Sequence, residues 1–194
     1  MVILELFIYI LAYLIGSIPF ALIVGKLMYQ KDIREFNSRN LGATNSLITL
    51  GIKAGLFVAL GDIGKGVFAS ALPSILSIDV DPIYVGFFAI VGHCFPIFAG
   101  FRGGKAVATT IGVLLFSVPW LSFFAVFIFF TATYISKYLF IGSLSMGFSI
   151  SISYLALNDL NKSMLFLGLF VLMIYLHRSN INNFIHKKEI KVRY

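Results

Sequence analysis

The apolar residues of this chain do not alternate with polar ones. They come in long unbroken runs, roughly 3–28, 54–78, 83–99, 141–157 and 163–177, separated by stretches of very unequal length. Runs of about 20 apolar residues predict membrane-spanning helices, and continuous runs argue against the alternating strands of a transmembrane barrel. The first two runs are long enough to span; the last three are somewhat short. The region 106–136 is 31 residues without a charge, long for one helix and short for two. Ser117-Val118-Pro119 sits near its middle, and proline starts a helix better than it continues one.

Charge decides between one crossing and two. Lys31, Arg34, Arg39 and Lys53 lie in the first loop, Arg102 and Lys105 in another, and Arg178, Lys187, Lys188, Lys191 and Arg193 in the tail. The 79–82 connection holds Asp79 and Asp81 without a cation, and 158–162 holds Asp159 with one cation, Lys162. If 106–136 crosses twice, every cation-rich piece falls on one side, as the positive-inside bias requires. The expected fold is therefore an all-α integral membrane protein. It is a polytopic bundle of about seven transmembrane helices forming one domain over 1–194, with the N-terminus outside and the C-terminus cytoplasmic.

Composition agrees. Only 12% of the 194 residues are charged and 59% are hydrophobic, against about 25% charged in soluble domains. The net charge of +7 is accounted for by flanking cations, so it points to anionic lipid or a phosphorylated substrate and not to nucleic acid. The single Cys94 excludes an intramolecular disulfide and a multi-cysteine metal site. Glu5 near the start of the first run, with no basic segment before it, marks a retained helix rather than a signal peptide. No internal repeat is visible, which argues against a transporter of inverted halves.

Four polar patches fall on the predicted cytoplasmic face. The first, DIREFNSRNLGATNS (32–46), holds Ser38, Arg39, Asn40, Gly42, Thr44 and Asn45. It reads either as a connector or as a nest of small residues for a phosphate. The second, GHCFPIFAGFRGGKAVATT (92–110), places Gly103, Gly104 and Lys105 before a helix start, which is either an anion site or a basic helix cap. It is not a Walker A loop, since Ala99 and Ala106 stand where that pattern needs Gly and Ser or Thr. His93, at the end of an apolar run, is more often a packed residue than a ligand. The third patch, 137–145, includes Ser143, although Ser and Gly are also ordinary helix-contact residues in membranes. The fourth, HRSNINNFIHKKE (177–189), combines His177, Asn180 and Glu189 with cations suited to anionic lipid. Asp62 and Lys65, three apart within a span, read as a mutually neutralised pair or as functional charges. Zinc spacing, GxSxG, HExxH and dinucleotide fingerprints are all missing from the sequence, and nothing calls for a metal or cofactor.

Taken in order, GSIPFALIVGKL (16–27), DIREFNSRNLGATNSLITLG (32–51), GDIGKG (61–66), GHCFPIFAGFRGGKAVATTIGVLL (92–115) and HRSNI (177–181) cover nearly the whole chain. They resemble the bacterial acyl-phosphate:glycerol-3-phosphate acyltransferases, the PlsY type. The resemblance implies a seven-helix enzyme of the bacterial inner (plasma) membrane, with its active site facing the cytoplasm. The implied reaction transfers a fatty acyl group from acyl phosphate to the 1-hydroxyl of sn-glycerol 3-phosphate, giving lysophosphatidic acid and phosphate. Acyl-CoA and acyl carrier protein are not the family's donors.

Residue by residue, the resemblance assigns Ser38, Lys105, Ser143, His177 and Asn180 to catalysis. It assigns Asn40, Gly42, Thr44, Asn45, Gly103, Gly104 and Glu189 to substrate binding. Membrane lipid is the expected partner, a monomer the plausible state. The chain departs from the family where Ile48 and Asn183 stand for arginines and Phe140 for a serine. Arg39, an unexpected cation in the first loop, is expected to bind substrate in place of the missing guanidinium. The alternatives are a small phosphorylated-anion transporter and a diverged, catalytically weak lipid-binding homologue.

Overall fold

A computed structural model describes residues 2–192. Among the described residues every regular element is helical. They divide into two compact units, one up to Val118 and one from Pro119 onward.

The first unit holds α1 (Val2–Gly16), α2 (Phe20–Tyr29), α3 (Ala43–Leu50), α4 (Ile52–Leu76), α5 (Pro82–Cys94) and α6 (Val107–Ser117). The run expected as one helix over 3–28 is interrupted before Phe20. Pro19 lacks an N–H and its ring crowds the preceding turn. The carbonyl of Ile18 is consequently available to Lys65, whose Nζ donates to it at 3.1 Å. The first loop, read from sequence as irregular, contains a 3₁₀ turn (Ile33–Glu35) and α3. Gly51, at φ +96°, lets α3 turn directly into α4, a backbone geometry that side chains resist.

Small residues bring the helices together. A Cβ on Gly112 of α6 would collide with the Ile63 carbonyl of α4, and one on Gly66 of α4 with the Thr109 carbonyl of α6. Gly16 and Gly92 seat α1 on α5 in the same way. Such close approach supplies van der Waals contact where lipid removes any hydrophobic drive between helices. The outward faces stay apolar, with Leu56, Leu60 and Phe68 of α4 exposed, as a lipid-facing surface should be.

The second unit holds α7 (Pro119–Ser136), α8 (Leu139–Ala156), α9 (Leu160–Leu176) and α10 (Arg178–Ile185). Pro119 opens α7, as the sequence predicts. Ser151 and Ser163 exchange hydroxyl-to-carbonyl hydrogen bonds of 2.9 and 3.0 Å between α8 and α9, satisfying polar groups that hydrocarbon would leave unpaired. Asp159 caps α9, accepting from the Lys162 N–H at 3.0 Å and pairing with Lys162 Nζ at 3.0 Å. These contacts lower its carboxyl pKa, the backbone hydrogen bond contributing most.

By length and composition, five described segments suffice to cross a membrane: 3–29, 52–76, 82–99, 119–136 and 139–156. A sixth forms if α9 and α10, bent by 54°, are counted together. The expected seventh crossing corresponds to α6, which is shorter at 11 residues. Such a helix is about 16 Å long, roughly half the hydrocarbon thickness.

Candidate active site

In the first unit, two loops distant in sequence are joined. The Leu41 N–H donates to the Gly103 carbonyl at 3.3 Å. Asn45, buried at the start of α3, donates through Nδ2 to the carbonyls of Ile33 (3.2 Å) and Asn40 (3.0 Å). Its Oδ1 is buried without a hydrogen-bond partner. Asn45 thus clamps the first loop around itself, a structural duty beyond the binding role expected of it. Asp32 caps the 3₁₀ turn and takes two hydrogen bonds from Arg34, Nε at 2.9 Å and Nη2 at 2.6 Å. Those bonds hold the Asp32 carboxyl down at about 2.

Ser38, Arg39 and Thr44 are exposed, and Asn40 and Gly42 half-buried. Arg39 sits at φ +57°, its N–H donating to the Phe36 carbonyl at 2.9 Å. Ile48 is 51% exposed. Gly42 is the N-cap of α3, and its carbonyl accepts from Ser46 Oγ at 3.1 Å.

The glycine pair has a second reason to exist. A Cβ on Gly103 would strike the His93 carbonyl, and one on Gly104 the His93 ring. The Gly104 N–H donates to the His93 carbonyl at 2.9 Å. The Gly104 amide is thus committed within the protein. Lys105 follows at once, half-buried, then Ala106 at φ +69° caps α6. The first amides of α6, at 107–109, lack intrahelical acceptors by the geometry of any helix start, and the helix dipole favours an anion before them. Lys105 and the amides opening α6 are therefore adjacent along the chain.

Asp62 and Lys65 form the expected pair, Nζ to Oδ1 2.8 Å, both buried. His93 joins them: its Nδ1 lies 3.4 Å from the same Asp62 oxygen. Sequence spacing showed the pair but could not show the third member.

In the second unit, Ser143 is buried in α8 and its hydroxyl donates to the Leu139 carbonyl at 3.0 Å, one turn back. His177 is buried where α9 ends, and Nδ1 is 2.8 Å from the Met173 carbonyl. That contact makes Nδ1 the protonated nitrogen and leaves Nε2 the basic one in the neutral ring. Asn180 Nδ2 donates to Glu189 Oε1 at 2.6 Å, so this pair of the tail motif is physically linked. Phe140 packs against Tyr138 and Phe184, with ring centroids 6.1 and 5.6 Å away; the residue replacing the family's serine has become part of an aromatic cluster. Asn183 is exposed.

These features define a class: a polytopic helical membrane protein with a glycine–lysine loop before α6 in its first unit and a His/Asn/Glu set in its second. The chain belongs to the glycerol-3-phosphate acyltransferase family, whose family model matches residues 6–187. It is 49% identical over 185 residues to the glycerol-3-phosphate acyltransferase of Bacillus subtilis (strain 168), covering 95% of this chain and 96% of that one. It is 50% identical over 184 residues to glycerol-3-phosphate acyltransferase 2 of Bacillus anthracis, covering 94% and 96%. Two crystal structures of PlsY, an integral membrane glycerol 3-phosphate acyltransferase, share the fold. The glycerol 3-phosphate form superposes with a TM-score of 0.86 at 32% identity, over 97% of this chain and 95% of that one. The lysophosphatidic acid form gives 0.83 at 31%, with the same coverage.

Proposed function

We propose that the chain moves a fatty acyl group from acyl phosphate to the 1-hydroxyl of sn-glycerol 3-phosphate. The products are lysophosphatidic acid and inorganic phosphate. Within the family, the observation that carries this reading is the joining of the first loop to the glycine–lysine loop through Leu41 and Gly103. It links the loop of small polar residues to the loop that carries Lys105, which supports the binding of a phosphorylated substrate.

The hydroxyl oxygen attacks the acyl carbonyl carbon, the carbon–oxygen bond to phosphate breaks, and phosphate leaves with the electron pair. Acyl phosphate is already activated, so no protein nucleophile is needed. Lys105 and the amides opening α6 hold a phosphate and offset developing charge. Ser38, Asn40, Gly42, Thr44 and Arg39 supply further donors from the first loop. The hydroxyl proton passes to a substrate phosphate oxygen. In the second unit, His177, Asn180, Glu189 and Ser143 are the residues proposed from the family resemblance.

The whole chain, 1–194, acts as the acyltransferase domain in a bacterial plasma membrane. The N-terminus is outside; the cation-rich loops and tail are cytoplasmic. The one-sided distribution of Lys and Arg supports that orientation.

The test supplies purified protein with palmitoyl phosphate and glycerol 3-phosphate and follows phosphate release. Release should depend on glycerol 3-phosphate and fall about a hundredfold or more in Lys105→Ala. Wild-type release no greater than that of the variant rejects the enzyme reading.

A further inference from the structure

The acyl-transfer chemistry leaves one buried polar cluster unused. Asp62 and Lys65 of α4 and His93 of α5 lie within a membrane-spanning part of the first unit, each at most 5% exposed. A buried ion pair is not retained for stability alone: apolar side chains of the same shape are often equal or better. Charges in a span call for a further reason.

The contacts supply one. Lys65 Nζ is tethered to the Ile18 carbonyl (3.1 Å), which the Pro19 break exposes, and to Asp62 Oδ1 (2.8 Å). The same oxygen faces His93 Nδ1 at 3.4 Å. The other edge of the His93 ring meets the backbone of Gly104 so closely that no Cβ fits between them. His93 also accepts the Gly104 N–H through its carbonyl at 2.9 Å. A path of contacts therefore runs from the α1–α2 break, through α4 and α5, to the residue before Lys105: polar as far as the His93 ring and steric from the ring to Gly104.

We propose that Asp62, Lys65 and His93 are positioning residues: they set the orientation of the His93 ring, and the ring sets the place of the 103–105 loop. The catalytic significance of that placement rests on the function proposed above. The cluster touches no substrate and acts only through Gly104 and Lys105. Its charges pay for a ring orientation that packing alone would leave to rotamer choice.

The single variant Asp62→Asn strands the Lys65 charge and can fail to fold. The informative protein is the charge-balanced double variant Asp62→Asn/Lys65→Met, which removes both charges together. Two measurements are made on it and on wild type. Hydrogen exchange is followed on peptides covering 100–106, and kinetics with palmitoyl phosphate and glycerol 3-phosphate are resolved into kcat and KM for each substrate. The expected result is faster exchange confined to 100–106, while α4 and α5 keep wild-type protection. With it, KM for one of the two phosphate substrates rises about ten- to a hundredfold, the usual scale of a small misplacement, with the other KM unchanged. Adding Lys105→Ala should make the double change nearly silent, because its effect runs through that loop. Unchanged exchange at 100–106, or exchange raised throughout α4 and α5, overturns the positioning role. If wild type releases no phosphate, the enzyme reading fails, while the exchange measurement still decides the positioning claim.

Discussion

Ile48 and Arg39 occupy one short stretch of the first loop and α3, and they frame the main residue-scale question. A hydrophobic side chain is exposed where the family resemblance expects a guanidinium, and a guanidinium is exposed nine positions earlier at a positive φ. An exposed αL arginine has no packing reason to be there, which favours the binding role proposed for it. Arg39→Ala should raise KM for glycerol 3-phosphate about tenfold or more, the value of a charge-assisted contact. Equal affinity in a titration of wild type and variant would remove Arg39 from the site. Phe140 needs no such compensation, since its ring is absorbed by Tyr138 and Phe184. The glycine pair is the opposite case. Its residues were legible as a loop signal, yet the reason for two glycines was not. His93 lies ten and eleven positions away, a separation with no helical or strand periodicity to reveal contact.

At the scale of elements, the helices follow from local rules and their pairing does not. Apolar runs and Pro119 at a helix start could be read from the chain, and the structure adds Asp81 and Asp159 as caps that accept from the Ile83 and Lys162 amides. Which glycines face a neighbour could not be read. α4 contains Gly64, with nothing within 4 Å of a Cβ placed there, and Gly66, pressed on α6; spacing alone does not separate them. Gly112→Ala should therefore lower the thermal midpoint in detergent, at a cost of about 1–3 kcal/mol for overpacking. Gly64→Ala should leave it unchanged or raise it slightly, since alanine is the better helix former. Equal effects of the two would show that the α4–α6 approach does not limit stability.

For the molecule as a unit, the orientation in the membrane hinges on a short apolar helix, α6. The cations fall on one side only if α6 and α7 are separate crossings, and α6 has 11 residues. Single cysteines at Lys31 and Lys187 should react with an impermeant maleimide only from the cytoplasmic side, and one at Asp79 only from outside; Cys94 is buried and gives a low background. Labelling of positions 31 and 187 from opposite sides would mean that 106–136 crosses once.

The chain by itself determined the helical membrane class, the helix start at Pro119, the polar patches and the family, because hydrophobic runs, proline positions and ordered motifs are local or linear properties. Only the tertiary structure decided that Leu41 meets Gly103, that Asn45 holds the first loop to itself, and that His93 ties the Asp62–Lys65 pair to the glycine loop. Those facts depend on which helix faces meet. In a membrane helix that is apolar on nearly every side, the sequence carries little amphipathic signal to say so.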